Sequence, residues 1–401
     1  MNKKITILYI DIEGGFGGSS ISLCNMVLSL NLETFKPIVF CKKRGPTVDK
    51  LLKYGIDCQI EPTITSIIPL KKNNLKNYIA NSYKLLLMKG LVKKIVNLNP
   101  DILHLNYEGL VPLHYILKRN KFSGKTVLHF RSSLAPPNFI YKFYAKHINK
   151  NIDFLIFIVE INRNIALEAG VNLEKNNHKI IYNPVNSISN FKKINLEKKS
   201  VLKVVFLALL DRHKGSYRLL EIAEILRQLK SNVKIDVYGG SPNKSKNIFW
   251  KKNIIEELRK EVSYKGLAKW IKFHGHTYSP EKILSNADVL IHPSFSNDPW
   301  GRNVIEALSM GIPVISHGNY DIFVKNNFTG LLFKEWNAMS YGKALDELSK
   351  DKKPLEYWSL NAIEFAKKNF SKELYGQSIE NVYNNILSIN KDSKGNNEKK
   401  L

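Results

Sequence analysis

Short apolar runs recur along this chain, and segments with a helical repeat of apolar residues separate several of them. Runs of four to nine residues are typical of buried strands, whereas apolar positions repeating every three to four residues predict helices. The runs form two series, at 4–10, 36–41, 101–105, 125–130 and 154–159, and at 202–210, 233–240, 271–276, 287–294 and 313–318. Helices are predicted at 20–31, 82–99, 216–230, about 252–263, after Gly301, and near the C-terminus to about Asn390.

This alternation predicts the α/β class, with parallel sheets that helices cover on both faces. A polar stretch at 189–200 separates the two series and reads as a linker. We therefore expect two doubly wound, Rossmann-like domains facing a cleft, at 1–188 and 201–365. Helices at 366–390 are expected to pack back on the N-terminal domain, and the charged tail 391–401 is expected to be disordered.

Composition narrows the class of protein. At 401 residues and 44% hydrophobic content, the chain can bury two cores. Its three cysteines are odd in number and lack CxxC spacing, which argues against a disulfide framework or a zinc site. The apolar run before Asp11 is too short for a signal peptide, and no run reaches the 18 residues of a membrane span. These features predict a cytoplasmic protein.

The net charge of +26 is unevenly spread. Between residues 62 and 152 there are fifteen lysines and arginines but only two acids, Asp101 and Glu108. Such a surface is typical of proteins that bind anionic lipid or nucleic acid. Composition bias is the alternative, because lysine, asparagine and isoleucine are frequent throughout. No nucleic-acid-binding motif accompanies the charge, so we expect no nucleic-acid partner.

Residues that could bind a ligand follow several predicted strands, at the strand ends where open α/β sheets bind ligands. The loop "DIEGGFGGSS" (11–20) could bring its backbone close to a phosphate or could be an ordinary tight turn. Two strand ends carry histidines, His104 and His129, and Arg131 follows the second. Arg212 and Lys214 could hold a diphosphate or lie in a solvated loop. Gly239 ends another strand.

The stretch "NDPWGRNVIEALSMGIPVI" (297–315) places two carboxylates, Asp298 and Glu306, eight residues apart. Eight helical steps would separate them by about 12 Å. That distance exceeds what one metal ion or one shared proton spans. It suits the two ends of a nucleotide-sugar, because carboxylates accept hydrogen bonds from sugar hydroxyls.

Several motifs occur in an order that resembles one family. They are "GGFGG", "PDILHLN", "VLHF", "KIIYNPVN" (179–186), "LALLDRHKG", "IKFHGH" and "DPWGRNVIEALSMGIPVI". Together they resemble the GT-B glycosyltransferases of the group-one, family-four class across nearly the full length of the chain.

The resemblance assigns roles to individual residues. It implies that Glu306 holds the ribose and that Asp298, one methylene shorter than the family's glutamate, contacts the donor sugar. Lys214 matches the diphosphate lysine. The family's arginine is replaced here by Leu209, so Arg212 would substitute for it. His129 matches the histidine near the transferred sugar. Further donor contacts are implied at Gly15, Gly239, His274, Trp300, Gly301, Arg302 and Asn303, and acceptor-side positions at Gly17, His104 and Arg131.

The resemblance also implies a function. We expect a retaining transferase without a metal or cofactor that moves a sugar from a nucleotide-sugar, UDP- or GDP-linked, to a saccharide or lipid-linked saccharide. Surface polysaccharide or lipopolysaccharide synthesis is the family's usual setting, and the basic region 62–152 would dock on the inner face of the plasma membrane. The alternatives are a non-catalytic nucleotide-sugar binding protein, motivated by Asp298 and the missing arginine, and a related epimerase or phosphorylase.

Overall fold

The computed structural model describes residues 3–15, 17–67, 83, 85–131, 139–185, 188, 201–240, 254–295 and 301–395. The chain forms two compact units, Met1–Asn186 with Lys372–Leu401, and Ser187–Ser371. The predicted linker 189–200 and residues 396–401 of the predicted tail lie outside the described residues.

The first unit is built on a seven-stranded parallel sheet in the order β3-β2-β1-β4-β5-β6-β7. Alternate residues of the central strand enter two separate cores: Leu8 and Ile10 pack on one face, and Ile7 and Tyr9 on the other. This two-faced burial explains the continuous apolar run. The strands are β1 Ile5–Asp11, β2 Phe35–Cys41, β3 Asp57–Ile60, β4 Ile102–Leu105, β5 Lys125–Phe130, β6 Phe154–Phe157 and β7 Asn177–Ile180.

The second unit repeats the plan with six parallel strands in the order β10-β9-β8-β11-β12-β13. They are β8 Leu202–Leu207, β9 Val233–Tyr238, β10 Ile271–Gly275, β11 Val289–His292, β12 Val314–His317 and β13 Gly330–Phe333. In each sheet the chain starts at an inner strand, adds strands toward one edge, and then crosses back to add strands toward the other edge. We call the place where the strand order changes direction the reversal point; it lies between β1 and β4 in the first sheet and between β8 and β11 in the second. The predicted α/β class with two doubly wound sheets is confirmed.

Helices connect the strands. In the first unit they are α1 Gly18–Leu28, α2 Pro46–Lys53, α3 Lys89–Leu98, α4 Val111–Arg119, α5 Phe139–Asn151 and α6 Glu160–Glu168, with a 3-10 turn at Glu108–Leu110. In the second they are α7 Arg218–Gln228, α8 Ile254–Tyr264, α9 Pro280–Ser285, α10 Arg302–Ser309, α11 Ala338–Lys350 and α12 Lys353–Phe370.

The last helix, α13 Lys372–Gly395, belongs to the first unit. Its Ile379 and Tyr383 are fully buried among side chains of α1 and β1. The return to that unit begins at Lys372 instead of residue 366, because Phe370 at the end of α12 stacks on Phe323 of the second unit at 5.6 Å. The helix continues to Gly395, five residues beyond its predicted end at Asn390 and into the tail predicted to be disordered.

Candidate functional site

The reversal point of each sheet gathers most of the predicted residues. In open α/β sheets ligands bind at this point, outside the carboxyl ends of the strands. In the first unit the loops after β1, β4 and β5 supply Gly15, Asn106 and Arg131. In the second the loops after β8 and β11 supply Lys214 and Ser294.

A buried carboxylate, Asp11, holds the glycine loop after β1. It accepts hydrogen bonds from the backbone N–H of Gly14 at 2.8 Å, from Ser20 Oγ at 2.7 Å and from Asn106 Nδ2 at 2.9 Å. Gly14 must be glycine: its φ is +97° and an added Cβ would lie 2.2 Å from the Lys43 carbonyl oxygen. The sequence pattern had indicated Asp11 only as the first residue of the loop after the first predicted strand.

Two of the other loop glycines, Gly15 and Gly17, differ in their surroundings. A Cβ at Gly15 would meet no atom within 4 Å. Gly17 is the N-cap of α1 and makes no side-chain cap. A Cβ at Gly17 would lie 2.2 Å from Glu13 Oε2, so the Glu13 carboxylate lies against this helix end and the Gly15 side of the loop is the part open to a ligand.

His104 and His129 lie side by side in the interior of the first unit. His104 Nε2 is 3.2 Å from His129 Nδ1, and both residues are fully buried. Burial, reinforced by the charge of Arg131, holds the pKa of both imidazoles well below the ordinary value. Both rings are therefore neutral near pH 7, and His129 interacts with a ligand as a hydrogen-bonding group without charge.

Arg131, predicted on the acceptor side, organises its surroundings through several bonds. Its Nε donates to Asn106 Oδ1 at 2.9 Å and its Nη1 to Asn183 Oδ1 at 2.6 Å. Its backbone N–H donates to Glu108 Oε2 at 3.0 Å. The side chain thus joins the ends of β4 and β5 to the segment after β7, and neither asparagine was predicted.

In the second unit, Lys214 occupies a tight turn after β8. Asp211 Oδ1 accepts the Lys214 backbone N–H at 2.8 Å, and the following Gly215 has φ +79°. The carbonyl of His213 accepts from Ser294 Oγ at 3.0 Å and from the Phe295 N–H at 2.9 Å, which locks the turn to the loop after β11. Within the part of the chain described, Lys214 Nζ has no ion-pair partner and is available to an anion.

His292, at the end of β11, lies beside this lysine and was not among the predicted site residues. Asn303 Nδ2 donates to His292 Nδ1 at 3.1 Å, so the imidazole proton resides on Nε2. Burial, with the charge of Lys214, lowers the pKa of His292 to about 3. His292 is therefore a neutral donor next to Lys214. Its position at the end of an apolar run was the available signal.

Arg218 is a second site residue that was not predicted. It is buried at 6% exposure, and its guanidinium lies 3.7 Å from the ring centroid of Phe295 and 4.2 Å from that of Trp336. Its Nη1 donates to the carbonyl of Ser294 at 2.7 Å. Arg218, the first residue of α7, therefore holds the loop after β11 in place. No local sequence pattern indicates this contact.

Glu306 is paired with Arg302 one turn earlier on α10. Arg302 Nε and Nη2 both donate to Glu306 Oε1, at 3.1 and 2.8 Å. Burial raises the pKa of Glu306, and Arg302 opposes that rise by favouring the carboxylate. Oε2 has no hydrogen-bond partner among the described residues, so it can accept from a ligand hydroxyl. The resemblance implied a donor contact for Arg302, whereas its side chain pairs with Glu306 and favours the carboxylate form.

The geometry assumed for Asp298 and Glu306 needs correction. Asp298 and Trp300 lie outside the described residues. Gly301 is extended, with φ −178° and ψ 156°, and α10 begins only at Arg302. Residues 298–306 therefore do not form one helix, and the separation of about 12 Å that a continuous helix gives does not apply. Gly301 is the N-cap of α10, without a side-chain cap.

The remaining predicted donor residues have local partners. Arg212 is exposed, and its guanidinium lies 5.4 Å from the ring centroid of Tyr217. Gly239 has no room for a side chain, because a Cβ would lie 1.9 Å from the Ala208 carbonyl oxygen. His274 Nε2 lies 2.6 Å from Asp236 Oδ1, and its ring stacks on Tyr238 at 4.4 Å. His274 is thus fixed on the sheet surface.

Metal clusters and membrane-spanning helices are both absent from the described residues. Among the residues with described positions, no group of three or more histidines, cysteines or acids could hold a metal ion. Within the same part of the chain, no helix is long and apolar enough to cross a membrane.

Comparison with known proteins identifies the fold. Residues 187–365 match the family model of the group 1 glycosyl transferases. Anabaena HepE, solved with UDP-glucose, is 18% identical with a TM-score of 0.73, covering 95% of this chain and 100% of HepE. A Rickettsia africae glycosyltransferase is 18% identical with a TM-score of 0.72, covering 96% of this chain and 99% of its own.

TarM of S. aureus, solved with fondaparinux, α-GlcNAc-glycerol and UDP, is 16% identical with a TM-score of 0.68, covering 95% of this chain and 100% of TarM. At these identities the solved structures establish the fold, and the predicted GT-B fold is confirmed. A search of curated protein sequences found no match.

Proposed function

We propose, from the match of residues 187–365 to the family model of the group 1 glycosyl transferases, that this chain transfers a sugar from a nucleotide-sugar donor to a saccharide hydroxyl. One observation supports this most directly. At the reversal point of the second sheet, Lys214, which has no ion-pair partner among the described residues, lies beside the neutral donor His292, and α10 begins at Arg302, next to Asn303. A cation, an N–H donor and an uncapped helix end together suit a diphosphate.

In this proposal the second unit binds the donor. Lys214 neutralises the charge that develops on the departing diphosphate as its bond to the anomeric carbon breaks. Glu306 accepts hydrogen bonds from the ribose hydroxyls through Oε2, while Arg302 favours its carboxylate form. Asp298 and Trp300 contact the donor sugar, and Arg212 is a second phosphate ligand.

His129 and the glycine loop of the first unit serve the transferred sugar and the acceptor. Since burial keeps His129 neutral, it hydrogen-bonds to a sugar oxygen and does not act as a cationic acid. The transfer proceeds with retention of configuration and without a metal ion in this proposal, and the resemblance of the motifs supports both points.

UDP is the first nucleotide to test, because HepE and TarM were solved with UDP-containing ligands. The acceptor is proposed to be a saccharide, free or lipid-linked, of a bacterial surface polymer. TarM was solved with a saccharide, and another structural neighbour, WaaB, is a lipopolysaccharide outer core galactosyltransferase.

A basic groove between α4 and α5 supports the proposed membrane contact. The groove has a volume of about 300 Å³, and no acid lines it. Its lining includes Tyr115, the exposed Phe143 and four cations, Lys118, Arg119, Lys146 and Lys150. Cationic side chains around an exposed aromatic ring match an anionic lipid surface. The groove lies within the basic region 62–152.

The test is a thermal-shift panel of UDP-, GDP-, ADP- and CMP-sugars, followed by a transfer assay with the nucleotide that binds. A ligand at a hundred times its Kd adds about 2.7 kcal/mol of stability. We expect one nucleotide class to stabilise the wild type, and Glu306→Gln and Lys214→Ala to remove both the shift and the turnover. Glu347→Gln, an exposed change on α11, is the control and should behave as wild type.

Each other outcome has a distinct meaning. A shift without turnover on any saccharide acceptor would favour the non-catalytic binding protein. If no sugar nucleotide stabilises the wild type, the donor site proposed around Lys214 is wrong.

A further inference from the structure

Four buried side chains form a continuous line through the first unit. The hydroxyls of Tyr9 and Tyr383 are 2.9 Å apart, the Tyr383 hydroxyl is 2.7 Å from His104 Nδ1, and His104 Nε2 is 3.2 Å from His129 Nδ1. All four residues are 0% exposed. The line runs from β1 through α13 and β4 to β5, and it ends at His129 Nε2, which has no hydrogen-bond partner among the described residues.

Three arrangements of protons satisfy all three contacts, because the Tyr383 oxygen can accept two hydrogen bonds. Both imidazoles are neutral, so each carries one N–H, and each tyrosine carries one O–H. In the first arrangement every proton points toward His129: Tyr9 donates to Tyr383, Tyr383 donates to His104 Nδ1, and His104 Nε2–H donates to His129 Nδ1. The His129 proton is then on Nε2. In the second arrangement every proton is reversed. In the third, Tyr383 accepts from both Tyr9 and His104 Nδ1–H, and its own proton has no partner in the line. In both of these, His129 Nε2 carries only a lone pair.

The first arrangement is favoured because it leaves the fewest buried polar groups without a hydrogen-bond partner. Each of the other two leaves a tyrosine O–H, of Tyr9 or of Tyr383, without an acceptor among the described residues, and each also leaves the basic nitrogen of His129 without a donor. An unpaired buried donor is costly. The favoured arrangement leaves one unpaired group, the Nε2–H of His129. It also uses phenols as donors and imidazole nitrogens as acceptors, which matches their relative basicity.

We propose that Tyr383 of α13 is a positioning residue that sets the proton of His129 on Nε2, so that His129 presents an N–H donor to a sugar oxygen. The identity of that oxygen rests on the proposed function, whereas the position of the proton does not. Through this line the C-terminal helix, more than 250 residues distant in sequence, determines the hydrogen-bonding character of a residue on β5.

The test reads the tautomer directly, without substrate. Full-length protein labelled with 15N-histidine is examined by NMR at pH 7.5, and the His129 signals are assigned by their loss in His129→Gln. We expect one tautomer, with Nε2 protonated and Nδ1 bare. Tyr383→Phe removes the donor to His104 and leaves the two orientations of the His104–His129 hydrogen bond nearly balanced, so His129 should become a mixture of tautomers.

Tyr9→Phe is the matched control, because it deletes one buried hydroxyl of the same line. It removes the alternative acceptor for the Tyr383 proton and should leave the Nε2–H tautomer intact. If transfer activity is established, kcat of Tyr383→Phe should fall about twofold, in proportion to the Nε2–H population, with the KM for the donor unchanged.

Three results would overturn the proposal: a wild-type His129 protonated on Nδ1, a Tyr383→Phe protein that keeps the single Nε2–H tautomer, or a Tyr9→Phe protein that loses it. The first needs no variant to fold. A failure of the nucleotide-sugar panel would leave these readings unaffected, so the two proposals fail separately.

Discussion

At the scale of single residues, Gly215 holds the Lys214 turn against the loop that follows β11. Its φ of +79° is unfavourable for any side chain, and a Cβ would lie 1.9 Å from the Pro293 carbonyl oxygen. The same close approach brings His213 within hydrogen-bonding distance of Ser294. The position of Lys214 therefore depends on a neighbour that has no side chain.

Replacing this glycine should be costly. In Gly215→Ala the backbone strain and the collision with Pro293 should together lower the free energy of unfolding by about 2–5 kcal/mol. Gly266→Ala is the matched control, because its φ is +64° but no atom lies within 4 Å of the added Cβ. That change should cost about 1 kcal/mol. All five tryptophans lie in residues 187–371, so urea unfolding followed by tryptophan fluorescence reports on this unit. Equal losses in both variants would contradict the role of the Pro293 contact.

The residues of the site differ in how far the sequence could predict them. Lys214, His129 and Glu306 follow strand ends or lie in a recognisable motif, so their local pattern sufficed to select them. Arg218 and His292 were missed because their surroundings come from tertiary contacts. Arg218 lies between two aromatic rings, and one of them, Trp336, is 118 residues away in sequence.

At the scale of elements, the strands that the apolar pattern missed all lie at sheet edges. β3, β7 and β13 end their sheets, and most of their residues are exposed or half-buried. An edge strand has a neighbour on one side only, so its sequence lacks the continuous apolar run of a central strand. The pattern thus predicted the centre of each sheet and its reversal point, but not its width.

A second histidine pair joins three elements of the first unit. His114 of α4 lies between Thr126 of β5, at 3.0 Å, and His147 of α5, at 2.9 Å. Burial, with the charges of His147 and Lys118, holds the pKa of His114 well below its ordinary value. Burial, with the charge of Lys118, lowers the pKa of His147 to about 4. Both rings are neutral in the folded protein and take up protons near pH 6.5 when it unfolds.

This pair should make the first unit sensitive to acid. Because both folded-state pKa values are depressed, stability is fully present above pH 6.5 and falls as the unfolded chain gains protons. Between pH 7.5 and 5.5 each histidine should remove about 1.4 kcal/mol. Far-UV circular dichroism of urea unfolding should show that the double variant His114→Gln, His147→Gln loses about 3 kcal/mol of this pH dependence. The tryptophan transition serves as the internal control, and an unchanged pH dependence would contradict the assignment.

At the scale of the whole molecule, the charge is concentrated where the groove between α4 and α5 lies. Residues 62–152 carry fifteen of the 61 basic residues and only two of the 35 acids. Composition bias alone raises lysine everywhere, but it does not remove acids from one region. The groove adds the exposed Phe143, at 53% exposure, to the cations around it. Charge and an exposed ring in one place are the features that the proposed membrane contact requires.

The proposed membrane contact predicts which charges matter. The triple variant Arg119→Glu, Lys146→Glu, Lys150→Glu should lose binding to anionic phosphatidylglycerol vesicles in a sedimentation assay. At about 1 kcal/mol for each basic residue near the surface, affinity should fall roughly a hundredfold or more. The control Lys260→Glu, Lys269→Glu, Lys282→Glu changes the net charge equally at exposed positions of the second unit and should bind as wild type. Wild-type binding should also weaken with salt and be absent on neutral phosphatidylcholine. Equal losses in the two triple variants would show that net charge alone, and not the groove, causes the binding. Equal binding to both vesicle types would exclude electrostatic docking.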